Sequence, residues 1–163
     1  MQSVTAAQGV QVVEPGAGEA IGWFGGTLVV KAAESSTGGA YSLLEVAEPP
    51  GSASPRHVHH GEDELLWVLE GSYEVHCGDT TATAPAGACV ILPRDVPHSV
   101  RVLGPDPARA LMLFTPAGFD GFFREVAREA AAAGGHPDPA RMGAIAERHR
   151  VEIIGPPDPP PEP

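Results

Sequence analysis

The sequence predicts an all-β domain, a jelly-roll sandwich or barrel of short strands, with one or two helices packed on it near the C-terminus. Three observations carry this. The chain has 20 Gly and 18 Pro, placed between short runs of alternating apolar and polar residues, a pattern of strands and turns. Its 163 residues, 42% of them apolar, suit a single domain with its own core. After Pro116 the apolar period changes from two to that of a helix.

Residues 1–20 read as a lead-in that adds an edge strand, and residues 28–32 and 41–47 as a hairpin around the turn-rich segment 34–39. Strands are then expected at 56–59, 64–70, 72–77, 80–84, 88–92, 98–103 and 110–115. The segment His60-Gly61-Glu62-Asp63 reads as a hairpin loop that returns the chain antiparallel, with Glu64 facing His59. Closure of these strands into a barrel would remove most sheet edges and leave a central cavity. Glu64, Leu66 and Val68 would share one face of it.

Past the strands, Phe119, Phe122, Phe123, Val126 and Ala130 recur at helical spacing, with Arg124, Glu125, Arg128 and Glu129 mainly opposite. The stripe is read as docked on the chain's own core, in preference to a dimer surface or a lid. A second helix is expected over 138–150, with Asp138 as N-cap and Pro139 in the first turn. The layout is therefore a β-barrel with its lead-in over 1–117, helices packed on the same domain over 118–150, and a Pro-rich tail over 151–163. The closing GPPDPPPEP is expected to be disordered or polyproline-like.

A net charge of −11 argues against nucleic acid or an anionic membrane as partner, which leaves a small molecule as the expected ligand. Residues 1–11 lack a basic start and an apolar core, and no run approaches the roughly 20 apolar residues of a membrane span, so a cytoplasmic location is expected. Cys77 and Cys89 form neither a disulfide framework nor a C-x-x-C pattern.

Chemistry concentrates between Gly51 and Gly71. On one strand His57 and His59 point to the same face, with Cα atoms roughly 6 to 7 Å apart, close enough for both rings to reach one metal at about 2.1 Å. Glu64 adds a carboxylate, and His98, after the apolar run 88–92, is the best source of a fourth ligand. Three imidazoles and a carboxylate without a thiolate suit one divalent transition metal per chain, Ni, Fe, Mn, Co or Zn. Such a metal would lower the pKa of an enol or catechol oxygen, and Glu64 is the natural base, because the histidines cannot take up a proton without losing their bonds. His60 points away from the pair and reads as a loop or supporting residue. His76 has a parity that could place it inside the barrel. His136 and His149 read as solvated, and Glu62 and Asp63 as an exposed acidic turn.

Gly51, His57, His59, Glu64 and Gly71 match the first motif of the cupin superfamily, G-x5-H-x-H-x4-E-x6-G. Gly87, Pro93 and His98 match the second, G-x5-P-x-G-x2-H-x3-N, with Asp95 in place of Gly and Val102 in place of Asn. Asp tolerates the turn conformation for which Gly is preferred. Through these motifs, and through TGGAYSLLEV, FTPAGFDGFFREVA and VEIIGPP around them, the chain resembles small single-domain cupins related to quercetin 2,3-dioxygenase. The resemblance implies a double-stranded β-helix fold, a homodimer, and a metal held by His57, His59, Glu64 and His98. It further implies that Glu64 removes the 3-hydroxyl proton of a flavonol, whose ring then opens with O2 and loss of carbon monoxide. The competing expectations are a non-oxidative metal-dependent cupin (polyketide cyclase, isomerase or lyase) and a small-molecule-binding cupin without turnover.

Overall fold

Period-two burial in the central strands of the larger sheet decides which side chains meet inside. The computed structural model describes residues 9–135 and 137–159. In chain order the elements are β1 (Glu19–Trp23), β2 (Gly26–Ala32), a one-turn helix α1 (Glu34–Thr37), β3 (Ser42–Glu48), β4 (Arg56–His59), β5 (Asp63–Glu70) and β6 (Ser72–Cys77). They continue with β7 (Thr80–Pro85), β8 (Cys89–Leu92), β9 (His98–Val102), β10 (Ala108–Thr115), α2 (Asp120–Ala132), α3 (Pro139–Arg148) and β11 (Val151–Gly155). Nine of these strands, β2 to β10, and helices α2 and α3 follow the sequence expectation within a few residues; β1 is an edge strand at the end of the expected lead-in, and α1 and β11 were not expected.

Two antiparallel sheets result. One has the order β1-β2-β3-β10-β5-β8 and the other β11-β4-β9-β6-β7. Inward residues from both, among them Leu28, Leu44, Val46, Leu66, Val68, Tyr73, Val75 and Ala110, form one core. Leu66 and Val68 do share the face of Glu64, and they are packed core residues. The sheets face each other as a jelly roll but, among the described residues, do not join into a closed barrel, so β1, β8, β11 and β7 remain edges there.

Residues 60–63 are not a hairpin loop. β4 pairs with β9 and β11 while β5 pairs with β10 and β8, so this link carries the chain from one sheet to the other. Facing sheets lie about 10 Å apart, a gap that four residues can span. Glu62 turns inward to His59, and Asp63 is held outside by Arg94, which pins the crossing at both sides. Glu64 and His59 therefore meet across the interior rather than along a ladder.

The phenylalanine stripe docks on its own domain, as expected. Phe119, Phe122, Phe123 and Val126 are buried, and Trp23 of the β1–β2 hairpin packs edge-on against Phe122 and Phe123. Ser42 Oγ donates to Asp120 Oδ1 at 2.5 Å and accepts from Gly118 N, which fixes the start of α2 to the site end of β3. Asp138 caps α3 by accepting from Ala140 N and Arg141 N.

The expected disorder of the tail is corrected for its described part. Val151–Gly155 is a strand on β4, and Asp158 is bound by Arg56, by Ser99 Oγ and, through its carbonyl, by Arg101. Only Val151 of this strand is buried and Glu152, Ile153 and Ile154 are exposed, so no period-two pattern marked it, and the prolines that follow pointed away from a strand. Residues 160–163 lie outside the described residues.

Leu44 is fully buried at the centre of the six-stranded sheet. Leu44→Ala is expected to lower stability by about 2–5 kcal/mol in urea unfolding followed by circular dichroism, with little change in the slope of the transition.

Candidate metal centre

His57 and His59 occupy alternate positions of β4 and turn inward together. His98 opens β9 directly opposite His57 in the ladder, and Glu64 reaches them from β5 in the other sheet. One ligand atom from each of the four residues lies within 4.8 Å of the others. His57 Nε2 faces His59 Nε2 at 3.2 Å, and Glu64 Oε2 is 3.4 Å from His59 Nε2 and 3.5 Å from His98 Nε2. His98 is delivered by a turn in which Asp95 has φ 63, the left-handed conformation that favours glycine. The aspartate thus fills the glycine position of the motif without displacing His98.

The other nitrogen of each ring settles which nitrogen points inward. His57 Nδ1 lies 2.7 Å from Pro55 O and His98 Nδ1 2.9 Å from Val96 O. A carbonyl can only accept, so both Nδ1 atoms carry the proton and both Nε2 atoms present lone pairs. His59 Nδ1 meets Glu62 Oε1 at 2.5 Å in the same role. Three Nε2 atoms and a carboxylate then converge, the arrangement in which outward hydrogen bonds orient metal-binding imidazoles. Buried His98 Nε2 has no hydrogen-bond partner. A buried acceptor without a donor is costly, and a cation bound by all four residues would satisfy it.

Electrostatics in the metal-free protein point the same way. Burial, reinforced by the neighbouring imidazoles, pushes His57 down to about 4, so it is neutral and ready to ligate. Burial would also lower His59, but its bonds to Glu62 and Glu64 outweigh this and lift it to about 9. Burial would raise Glu64; the imidazoles of His59 and His98 beside it prevail and hold its carboxyl well below the usual range. A proton on His59 thus occupies the place a metal would take. Phe119 stands edge-on to the His59 ring at 4.4 Å, with Phe114 behind it, giving the site a dry wall.

The remaining candidates sort by strand parity. His60 lies outside, between Asp95 at 2.7 Å and Glu152 at 3.2 Å, a supporting contact to the His98 turn. His76 faces away from the interior and bonds Glu74 and Thr81. His149 pairs with Glu125 and is not simply solvated; its expected exposure is corrected by this contact between α3 and α2. His136 lies outside the described residues. Asp63 is half-exposed and paired with Arg94 as a turn residue should be. Glu62 is not: it is buried beneath His59, which reverses the exposed-turn expectation. The sequence signal was present, since Glu62 is three residues past His59, but two adjacent acids in a loop usually mark solvent.

Comparison with known proteins agrees with this geometry. Residues 44–114 match the family described as Cupin domain. Over 78 residues the chain is 33% identical to germin-like protein subfamily 2 member 2 of Arabidopsis thaliana, covering 45% of this chain and 36% of that protein. The matched stretch therefore spans about a third of the curated relatives' length. Among solved structures, a predicted oxalate decarboxylase of Thermotoga maritima superposes with TM-score 0.57 at 22% identity, over 65% of this chain and 99% of that one. KdgF from Halomonas sp. gives 0.53 at 22% identity, over 68% and 88%. At these identities the structural likeness shows the fold.

Two outcomes follow from the site. His98→Ala should abolish stoichiometric binding of Ni(II) or Co(II) in calorimetry, while Glu62→Gln, which keeps the shape but loses the charge behind His59, should weaken it roughly 10- to 100-fold. The second concerns pH. His59, raised from 6.5 to about 9, contributes stability that is complete below 6.5 and lost as pH rises through 9. His57, lowered to about 4, disfavours the folded state progressively as pH falls from 6.5 towards 4. Melting temperatures of metal-free protein should therefore fall on both sides of about pH 6.5, and metal affinity should rise with pH up to about 9 as the His59 proton becomes easier to displace.

Proposed function

From the match of residues 44–114 to the cupin domain family and the geometry of the four converging side chains, we propose that the chain is a metal-dependent cupin enzyme, a quercetinase-like dioxygenase that uses O2 to open the ring of a flavonol or related enolic polyphenol. The observation that carries the metal-dependent part is the convergence of His57, His59, Glu64 and His98 around an orphaned buried nitrogen. One divalent metal, Ni, Fe, Mn, Co or Zn, fits this donor set. When bound, it would supply Lewis acidity and lower the pKa of an enolic hydroxyl.

The protein's own residues do the rest. Glu64 is ionised and is the one ligand that can accept a proton while the three imidazoles keep their lone pairs for the cation. Glu62 and the Pro55 and Val96 carbonyls hold those imidazoles in place, so that a proton taken from substrate goes to Glu64. Phe114 and Phe119, both buried, pack against His59 and keep water from that side of its ring. The site reads as part of a cytoplasmic homodimer acting on a small molecule.

Oxygen uptake measured with quercetin and related flavonols, on protein reconstituted separately with each metal, tests the reading. Metal-dependent uptake is expected, and Glu64→Gln should keep most of its metal while losing turnover by about 100-fold or more. Conversion of an enolic substrate in the absence of O2 would replace the dioxygenase with a non-oxidative cyclase, isomerase or lyase. Tight ligand binding without turnover would make the domain a binding module.

A further inference from the structure

β4 is four residues long and bears two of the four converging side chains. On one side it lies along β11, and on the other it meets β9 through one ladder pair, His57 with His98. Backbone bonds from Asp95 N to His59 O and from Ser54 N to Val100 O flank that pair. A strand this short opens easily unless a further contact ties it to its neighbour. Such a contact exists on the outer face. Arg56 precedes His57 and Ser99 follows His98, so by strand alternation both point away from the imidazoles.

Asp158 joins them. Arg56 Nη1 donates to its carboxylate oxygens at 3.2 Å and 3.1 Å, and Ser99 Oγ donates to Oδ2 at 2.5 Å. Arg56 Nη2 donates to Gly78 O at 3.0 Å, so the same guanidinium reaches across β9 to the turn between β6 and β7. Ser99 is 2% exposed, and the side chains of Arg56 and Asp158 are 28% and 20% exposed, which shelters these charge-assisted bonds more than an ordinary surface ion pair. The Ser99 hydroxyl and the Arg56 charge hold the Asp158 carboxyl below its usual range, so it is ionised at neutral pH.

The composition of the tail suits this role. Pro156, Pro157 and Pro159 have no N–H and a fixed φ, so the stretch around Asp158 is rich in acceptors and loses little freedom on docking. The sheet supplies donors to match. Arg56 N donates to Pro156 O at 3.3 Å and Arg101 Nη2 to Asp158 O at 2.5 Å, beside the bonds to the carboxylate.

We propose that Asp158 is a positioning residue of the metal centre, its carboxylate fixing the spacing of β4 and β9 and with it the approach of His57 and His59 to His98. The proposal rests on the metal-centre reading and extends it to the tail. Calorimetry with Ni(II), and visible spectra of the natural sequence loaded with Co(II), test it. Asp158→Asn is expected to weaken Ni(II) binding about 10-fold, the low end for groups bonded directly to ligating imidazoles, and to shift the Co(II) bands. Ser99→Ala removes the β9 end of the same link and should act alike, with the double variant little worse than either alone. Should Asp158→Asn fail to fold, Ser99→Ala carries the test. Val46→Ala, which lowers stability from the core, should leave affinity and bands unchanged. Unaltered affinity and bands in Asp158→Asn and Ser99→Ala overturn the proposal and leave the metal centre standing. An equal loss in Val46→Ala would make the tail a general stabiliser and overturn it as well. A natural sequence that binds no metal overturns the metal centre and the proposal together.

Discussion

Lone pairs of several imidazoles repel when they point at one another, and the interior of this sandwich holds three in that posture, with a carboxylate beside them. They stay because each ring is tied from behind, two to carbonyl oxygens and one to Glu62. Remove those ties and the rings can turn away; keep them, and something positive must stand at the centre. In the metal-free protein a proton on His59 serves. A metal ion held by these four residues would have to take the place of that proton.

The fold is organised to make this exchange local. His57 and His98 face each other across one rung of the five-stranded sheet, and Glu64 comes from the opposite sheet, so the site bridges both layers. The link at 60–63 crosses between the layers with one acid buried inside and the next clamped outside. At the same end, Ser42 and Asp120 hold α2 so that Phe119 closes against His59. The rest of the core is aliphatic and has no part in the chemistry beyond keeping the two layers at a fixed spacing.

The four converging side chains were legible in the sequence, because their spacing obeys strand parity and two motifs frame it. Strand positions were legible because short apolar runs such as SLLEVAE and DELLWVLE are bounded by turn residues. What the chain did not disclose was long-range pairing. A short polar turn between two strands looks the same whether it closes a hairpin or passes between sheets, because the choice is made by β9, β10 and β11, far along the chain. Glu62 was misread as a consequence, since an acid in a hairpin turn is solvated and an acid in a crossing link is not. The strand at Val151–Gly155 was hidden by the prolines after it, although its partner β4 had an open edge to offer.

That last strand carries more than its own five residues. Arg56, one position before His57, holds Asp158, and Ser99, one position after His98, donates to the same carboxylate. The chain's final stretch is thus stapled across the backs of the two strands whose fronts bear the histidines. Losing Asp158 would free Arg56 and Ser99 together, so a change on the outer side of these strands would be felt as a loosening of the imidazole cage on the inner side.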